Sequence, residues 1–350
     1  MKVGIIGAGA IVRRAHLPAW KKLAEIQVTA ISDINELTAK KVAREFAIPV
    51  YTNNYLEIIE ESSIEIIDVA TPTPSHFEIV FKAIEKGKHI LVEKPLTLKL
   101  EEAIAIYKMA YQKNLKITVI YNYRYYPAVI KAKQRLESGK LGRLISINGL
   151  ALSRFPVSWT RSTWLYHSGG ALYDFGPHLI DLILWLNNSN PVEVASFGGD
   201  ISNGQMGFIT HAQLMIKFED GSVAQADISW LTGSNIFQLS LHGTGGHIIL
   251  DVRGNSLLEF HGTFTPLDNY RRFCNEIKGL WQLIRQGSFF LGPIYYYFPL
   301  FEDFINSIKR NCAPPISLDH ALKINLILYA AEKSIQSGKI IQLKDIFQVT

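Results

Sequence analysis

Cysteine is scarce in this sequence. Two of the 350 residues, Cys274 and Cys312, are cysteines, and no C-x-x-C pair occurs. Two cysteines cannot build the disulfide framework of a small secreted protein, and the missing pairs exclude the usual cysteine-based zinc sites. The scarcity predicts a protein of a reducing compartment, the cytoplasm.

Long hydrophobic runs are also missing. The most apolar stretch, residues 289–301, has 13 residues and contains Gly292, Pro293 and Pro299, whereas a transmembrane helix needs about 20 apolar residues. We therefore predict no membrane-spanning helix. The apolar helical face and aromatic run within residues 273–301 predict oligomer packing or a substrate lid, with a membrane-surface contact as the less favoured alternative.

No tract of lysine and arginine is present either. The 36 Lys+Arg and 31 Asp+Glu residues leave a formal net charge of +5, and both signs are dispersed along the chain. This pattern argues against a nucleic-acid partner. Hydrophobic residues make up 48% of the sequence, which excludes a disordered chain and predicts two domains, or three, with buried cores.

The pattern of apolar runs changes near residue 122. Before that point, strand-like runs alternate with helical patterns, which is typical of β–α–β units and a parallel sheet. After it, short runs separated by turn residues predict an antiparallel sheet, interrupted by one helix over residues 174–186. Residues 301–336 again have a helical pattern. The sequence therefore predicts an α/β protein with two different sheets.

A glycine-rich turn follows the first strand-like run. In Gly7-Ala8-Gly9-Ala10-Ile11-Val12, two glycines match the dinucleotide fingerprint G-x-G-x-x-G/A, in which a pyrophosphate rests on the helix N-terminus. Val12 departs from the third position, where a small residue allows close packing of helix on strand. Asp33 ends the second strand, where a carboxylate binds ribose hydroxyls and repels a 2′-phosphate. The motif predicts NAD, with NADP as an alternative; the competing interpretation is an ordinary turn and a surface aspartate.

Two further motifs end predicted parallel strands at the same edge of the sheet, where ligands bind. In Glu93-Lys94-Pro95, the Lys94 ammonium is placed to polarise a substrate oxygen, although a lysine in a solvated turn fits the motif taken alone. Residues 71–76 end the preceding strand, and Thr71 and Pro72 are expected to line the nicotinamide side of the site. His76 fits this role and a capping or surface role equally well.

A third constellation lies in residues 169–181. On one helix, Asp174 and His178 stand at i and i+4 and share a face, so the carboxylate can orient the imidazole for acid–base work on a hydroxyl proton. The preceding glycine pair would let the backbone pass close to a ligand. A capping aspartate with a buried histidine is the structural alternative. With Asp181, the set lacks a clear metal spacing, so we predict no metal site.

In this order and spacing, the motifs resemble the glucose–fructose oxidoreductase / inositol dehydrogenase (Gfo/Idh/MocA) family. The resemblance covers nearly the whole chain. It rests on six blocks, which are residues 4–19, residues 71–76, residues 93–95, residues 121–127 with 139–144, residues 169–185, and residues 314–317 with the helix after them.

The resemblance implies an N-terminal Rossmann domain and a C-terminal α/β domain with a large open, mainly antiparallel sheet. In the family, the exposed face of that sheet makes homodimers or homotetramers. We accordingly predict a dinucleotide-binding domain over residues 1–122 and a substrate-binding and oligomerisation domain over residues 123–300. The helical segment 301–350 is predicted to pack back on the Rossmann domain.

The resemblance also implies an NAD(P)-dependent dehydrogenase or reductase acting on a secondary alcohol or ketone of a sugar, polyol or nucleotide-sugar-like compound. Carried over, Lys94 and His178 are the catalytic pair, with Asp174 beside them. The implied cofactor-binding residues are Gly7, Gly9, Ala10, Ile11, Asp33, Thr71, Pro72, His76, Glu93, Lys94 and Asn122. The candidate substrate-binding residues are Arg124, Arg161, Trp164 and His178, the middle two in the variable loop 154–167. A non-catalytic NAD-bound sugar sensor, and a glycosidase or lyase with transient hydride transfer, stay open as alternatives.

Overall fold

The computed structural model describes residues 1–155, 168–204, 206–261 and 293–347. Two compact units emerge from the contacts within the chain: one comprises Met1–Asn122 and Ile294–Asn325, the other the described parts of Tyr123–Pro293 and Leu326–Thr350. The chain thus leaves the first unit after Asn122, returns to it at Ile294 and leaves it again after Asn325. The predicted bounds 1–122, 123–300 and 301–350 stay predictions.

The elements are numbered in chain order. The strands are β1 (Lys2–Ile6), β2 (Gln27–Ser32), β3 (Val50–Thr52), β4 (Ile66–Val69), β5 (His89–Val92), β6 (Ile117–Val119), β7 (Leu144–Arg154), β8 (Pro191–Gly199), β9 (His211–Phe218), β10 (Val223–Ser229), β11 (Leu231–Gly243), β12 (Gly246–Asp251), β13 (Ser256–Phe260) and β14 (Ile341–Gln342). The α-helices are α1 (Leu17–Lys21), α2 (Glu36–Phe46), α3 (Tyr55–Glu60), α4 (His76–Glu85), α5 (Leu100–Lys113), α6 (Pro127–Glu137), α7 (Gly170–Asp174), α8 (Gly176–Asn187), α9 (Tyr297–Lys309), α10 (Leu318–Ser337) and α11 (Leu343–Phe347).

The first unit is built on a parallel sheet of six strands in the order β3-β2-β1-β4-β5-β6. Its central strands β1, β4 and β5 are buried along their length apart from the first residues of β1 and β5, as expected for a parallel sheet covered by helices on both faces. The strand order is that of a dinucleotide-binding Rossmann sheet, with the direction of winding reversed between β1 and β4. This confirms the predicted fold class of the N-terminal part.

A π-helical turn, Val12–His16, precedes α1. The Leu17 N–H bonds to the Val12 carbonyl, five residues back. Val12 is fully buried at the fingerprint position that normally holds glycine or alanine. The wider turn gives the helix a local register that places this larger side chain in the core.

The second unit contains a sheet of eight strands in the order β13-β12-β11-β7-β10-β9-β8-β14. All neighbouring strands are antiparallel except β7 and β10, which run parallel. This confirms the predicted, mainly antiparallel sheet. Side chains alternate along β9 between buried and exposed, and α8 packs against β7 and β10. One face therefore belongs to the core and the other is open.

The helix predicted over residues 174–186 is divided. Asp174 ends α7, and α8 begins at Gly176. Pro177 has no N–H to donate to the carbonyl of Tyr173 four residues back, so the hydrogen-bond ladder is interrupted there. The expectation that Asp174 and His178 stand on one continuous helix is therefore wrong.

The glycine pair at the start of α7 is required by packing. Gly169 and Gly170 have φ angles of +78° and +72°. A Cβ on Gly169 would lie 2.5 Å from the Tyr173 ring, and one on Gly170 would lie 2.3 Å from the Ile209 carbonyl oxygen. Contacts inside the second unit thus explain both glycines. The sequence alone instead predicts that they let the backbone pass close to a ligand.

Helix length bears on the membrane prediction. Across residues 1–155, 168–204, 206–261 and 293–347, none of the helices combines the length and apolar character needed to cross a bilayer.

Candidate functional site

Contacts at Gly7 and Ala8 hold the glycine-rich turn in place, while its backbone at Gly9 is exposed. Gly7 has a φ of +101°, and a Cβ there would lie 2.4 Å from the Ala70 carbonyl oxygen, so only glycine fits. The Ala8 N–H donates to Asp33 Oδ2 at 2.9 Å. An added Cβ on Gly9 would meet no atom within 4 Å. The exposed backbone of Gly9 and Ala10, with Ile11 half-buried behind it, can therefore receive an anion at the start of the helix.

Asp33 holds this turn and still has acceptor capacity. Its Oδ1 accepts the N–H of Asn35 at 2.9 Å, while Oδ2 accepts that of Ala8. Each carboxylate oxygen has two lone pairs, and the side chain is half-exposed. The carboxylate can thus accept hydrogen bonds from a diol while anchoring the turn.

His76 joins the ends of two neighbouring strands. Its Nδ1 lies 2.9 Å from the Pro95 carbonyl oxygen, and its Nε2 lies 2.9 Å from that of Thr71. The side chain is fully buried, and this burial lowers the pKa of His76, although the hydrogen bonds to the carbonyls oppose the shift. The surface alternative for His76 is wrong. The ring connects the loop after β4, in which Thr71 and Pro72 lie, to the turn after β5.

Lys94 follows β5 and is half-buried, with a cis peptide bond to Pro95. Its N–H donates to Glu93 Oε2 at 3.2 Å. The other oxygen of Glu93 lies 3.1 Å from both His16 Nε2 and the hydroxyl of Tyr297. Glu93 is therefore engaged inside the first unit, and its implied contact with a cofactor stays a prediction.

His16 is the functional candidate for which sequence reasoning proposed no role. It is fully buried, with Nδ1 3.0 Å from both carboxylate oxygens of Asp68 and Nε2 facing Glu93. Burial alone would lower the pKa of His16, but the charges and hydrogen bonds of Asp68 and Glu93 outweigh it and raise the pKa to about 10. Trp20 Nε1 donates to Asp68 Oδ2 at 2.7 Å. The available signal was the block 4–19, which contains His16.

In the second unit, His178 is the third residue of α8 and is buried. Its ring stacks on Tyr123, with the ring centroids 4.3 Å apart and the planes inclined by 10°. Tyr123 in turn meets Phe237 edge to face at 4.8 Å. The imidazole is thereby held in one plane. Asp174 is half-buried at the end of α7.

Arg124 forms a buried ion pair in the same unit. Its Nη2 lies 2.6 Å from Asp181 Oδ1, and its Nε lies 3.0 and 3.1 Å from the two carboxylate oxygens. The guanidinium also lies over the Trp185 ring, 5.2 Å from its centroid. These contacts give Arg124 and Asp181 a role in packing, and the substrate-binding role of Arg124 stays a prediction. Asn122, implied in cofactor binding, is buried at the start of the turn that contains Arg124.

Some candidates cannot be placed. Arg161 and Trp164 lie outside the described residues, as does most of the segment 273–301. Arg154, assigned to the variable loop, ends β7 and donates through Nε to the Gly233 carbonyl at 3.2 Å. Within the part of the chain that the structure describes, His, Cys, Asp and Glu side chains form no group of three suited to a metal ion.

The sequence matches two family models. Residues 1–121 match one described as an oxidoreductase family with an NAD-binding Rossmann fold, and residues 129–249 match the GFO/IDH/MocA C-terminal domain. Levoglucosan dehydrogenase from Pseudarthrobacter phenanthrenivorans is 30% identical over 296 residues, which cover 74% of this chain and 75% of that protein. The scyllo-inositol 2-dehydrogenase (NAD(+)) of Bacillus subtilis is 27% identical over 281 residues, covering 75% and 80%.

A solved structure of levoglucosan dehydrogenase, in complex with NADH and levoglucosan, superimposes with a TM-score of 0.85. It is 26% identical in sequence, and the match covers 98% of this chain and 99% of that one.

Proposed function

Because the chain belongs to the GFO/IDH/MocA family and is an NAD(P)-dependent oxidoreductase, we propose that it oxidises a secondary alcohol of a sugar, polyol or nucleotide-sugar-like compound, or reduces the corresponding ketone. The family membership confirms the resemblance predicted from the motifs. Two relatives are named for their action on levoglucosan and scyllo-inositol, which supports a substrate with several ring hydroxyls.

The observation that supports this function most is the position of three motifs at one sheet edge. The glycine-rich turn, Asp33 and Lys94 follow the carboxyl ends of β1, β2 and β5, where ligands of such sheets bind. The residues fit a dinucleotide: the open backbone at Gly9 suits the pyrophosphate, and Asp33 suits an unphosphorylated ribose. NAD(P)⁺, when bound, would accept the hydride from the alcohol carbon.

Two side chains would handle the hydroxyl group. As the C–H bond is broken with loss of hydride, His178 takes the hydroxyl proton. The Lys94 ammonium donates a hydrogen bond to the oxygen while negative charge develops there. Asp174 is assigned, from the family resemblance, to holding the imidazole, and the stacking of Tyr123 on His178 fixes the ring plane. In the reverse reaction the same imidazole returns its proton to the alkoxide.

A substrate panel tests the activity. The protein is incubated with NAD or NADP and with neutral sugars, inositols, phosphorylated sugars, sugar acids and nucleotide sugars, and NAD(P)H is followed by absorbance. We expect net NADH with at least one polyhydroxylated ring compound. Bond cleavage without net NADH would instead support transient hydride transfer, and no turnover despite cofactor binding would support a sensor.

Variants test the two side chains. Positioned acid–base catalysis contributes about 10²–10⁴-fold, so Lys94→Ala and His178→Ala should each lower kcat by that order while NADH still binds in a fluorescence titration. Matched controls are Lys99→Ala, from an exposed pair with Glu102, and His211→Ala, from a partly exposed pair with Asp227. Both controls should keep their activity. Full activity of either Lys94→Ala or His178→Ala would refute that assignment.

A further inference from the structure

Two buried histidines of the first unit contact the residues on either side of Lys94. His16 faces the side chain of Glu93, and His76 faces the carbonyl of Pro95. Both are fully buried. We propose that His16 and His76 are positioning residues, which hold the turn of residues 93–95 so that Lys94 presents its ammonium in one direction. This inference rests on the proposed role of Lys94.

On the His76 side, the imidazole connects two loops that follow adjacent strands. Its two ring nitrogens lie 2.9 Å from the carbonyls of Pro95 and Thr71, and β4 and β5 are paired neighbours in the sheet. A singly protonated ring donates to one carbonyl, and a doubly protonated ring donates to both. In either form the ring fills the space between the loops and keeps Pro95 at a set distance from Thr71.

On the His16 side, hydrogen-bond geometry decides the protonation state. Nδ1 faces the Asp68 carboxylate at 3.0 Å and Nε2 faces Glu93 at 3.1 Å. Both neighbours accept hydrogen bonds when ionised. Burial alone would lower the pKa of His16, but Asp68 and Glu93 raise it to about 10, so both ring nitrogens carry protons at neutral pH. The rings of Tyr297 and Phe301 lie 5.4 Å from the imidazole and exclude water on other sides. A buried imidazolium thus fixes Glu93, whose other oxygen accepts the Lys94 N–H.

The two contacts constrain Lys94 from both neighbours in the chain. The preceding residue is anchored through its carboxylate, and the following residue through its carbonyl. The direction of a lysine side chain depends on the backbone that carries it, and displacing a reacting group by about 1 Å can cost about 10²-fold in rate. Removing either contact should therefore slow the chemical step while cofactor binding persists.

The first experiment compares His76→Phe, His16→Gln and Tyr297→Phe with the control His89→Phe. His76→Phe keeps a ring but removes both contacts with carbonyls. Tyr297→Phe removes one donor to Glu93 and is milder than His16→Gln, which leaves two buried carboxylates poorly paired. His89 is the control. It is the first residue of β5, the strand that leads to Lys94, and its Nδ1 accepts the Lys116 backbone N–H at 3.1 Å. With the best substrate of the panel, His76→Phe and His16→Gln should lower kcat about 10-fold or more, and Tyr297→Phe should lower it less. KM and the NADH dissociation constant should stay near those of the parent protein, and His89→Phe should keep kcat.

A second readout does not depend on turnover. The rate at which an N-hydroxysuccinimide ester acylates Lys94 is measured by peptide mass spectrometry, with the exposed Lys99 as the internal reference. The Lys94 rate relative to Lys99 should change in His76→Phe and Tyr297→Phe, and should not change in His89→Phe. An unchanged relative rate in both test variants would overturn the proposal.

Double variants separate this proposal from the proposed function. If His76 acts through Lys94, adding His76→Phe to Lys94→Ala should slow kcat no further. A further loss as large as that of His76→Phe alone would overturn the positioning role and leave the function standing. Full activity of Lys94→Ala would instead overturn the role of Lys94 itself. If His16→Gln does not fold, the comparison is made with Tyr297→Phe.

Discussion

Asp33 holds the glycine-rich turn in shape and is also the residue that we propose to select the ribose of the cofactor. Its carboxylate accepts the N–H of Ala8 and of Asn35, so the same group that would select the ribose also holds the turn in shape. A negative charge at this position opposes a 2′-phosphate. The side chain therefore has a structural role in the turn, and the selective role is what we propose for it.

Replacing that charge should change the choice of cofactor. In Asp33→Asn, one acceptor oxygen is kept but the charge is lost. We expect the ratio of kcat/KM with NADP to that with NAD to rise about 10-fold, which corresponds to roughly 1.4 kcal/mol. Glu36→Gln, an exposed acid three residues on, is the control and should leave the ratio unchanged. An unaltered ratio in Asp33→Asn would count against the selective role.

His16 should make stability depend on alkaline pH. Burial alone would lower its pKa, but Asp68 and Glu93 raise it to about 10 from 6.5. A raised pKa in the folded state stabilises the protein fully below about pH 6.5, and this contribution is lost as pH rises through about 10. We expect Tm to fall between pH 8 and pH 10.5, by on the order of 5 °C more in the parent protein than in His16→Gln. Equal alkaline losses in the two proteins would contradict this linkage.

The contribution of His76 to stability depends on pH in the opposite direction. Burial lowers its pKa, so its contribution to stability is present above about pH 6.5, the unfolded-state value, and is lost as pH falls below it through the lower pKa of the folded state. The positioning roles of His16 and His76 could not be predicted from the sequence. His16 precedes Asp68 by 52 residues and Glu93 by 77, and only the folded sheet brings the three together.

Among the elements, strands with regular patterns were predictable and short or broken elements were not. The apolar runs at residues 2–6, 27–32 and 89–92 predict strands with the bounds that β1, β2 and β5 have in the structure, because apolar runs bounded by turn residues define buried strands. No strand was predicted at β13 or β14. All five residues of β13 are half-buried, which weakens any alternation, and β14 has two residues. The sequence does not reveal the break between α7 and α8, because Pro177 lies near the start of the predicted helix, where proline is tolerated.

The Arg124–Asp181 pair joins the turn before α6 to α8 within the second unit. Asp181 is fully buried and Arg124 nearly so. Removing one partner leaves the other charge buried without compensation, which costs about 3–5 kcal/mol. Asp181→Leu should therefore lower the free energy of unfolding by that amount in a denaturant titration. Glu193→Ala breaks an exposed pair with Lys217 and should cost about 1 kcal/mol or less. Similar losses in both variants would show that burial of the pair does not matter.

For the molecule as a whole, the open face of the eight-stranded sheet is the clearest feature. Phe197 and Met215 are 75% and 48% exposed. Strand register places them on the same face, since Phe197 pairs with Gln213 and Ala195 with Met215. Val223, opposite Lys217, extends the apolar surface. This is the face through which we predict a homodimer or homotetramer.

Lysines introduced on the open face of the eight-stranded sheet should prevent the subunits from associating. We expect the parent protein to show the mass of two or four chains by light scattering after gel filtration. Phe197→Lys with Met215→Lys should show the mass of one chain, because two charges would be buried in a symmetric contact. Tyr111→Lys, which changes an apolar residue of α5 that is 81% exposed, is the control. A parent protein with the mass of a single chain would contradict the prediction.

The path of the chain bears on how the protein is made. The first unit includes Ile294–Asn325, and Ile316 exchanges hydrogen bonds with the Thr118 side chain while Asn325 donates to the Thr97 carbonyl. A ribosome releases residues 1–122 long before these partners exist. The nascent N-terminal part must therefore wait with Thr118 and the side of His16 that faces Tyr297 uncovered, until almost the whole chain has been synthesised. The first unit is thus completed only after the residues that separate its two segments have been synthesised.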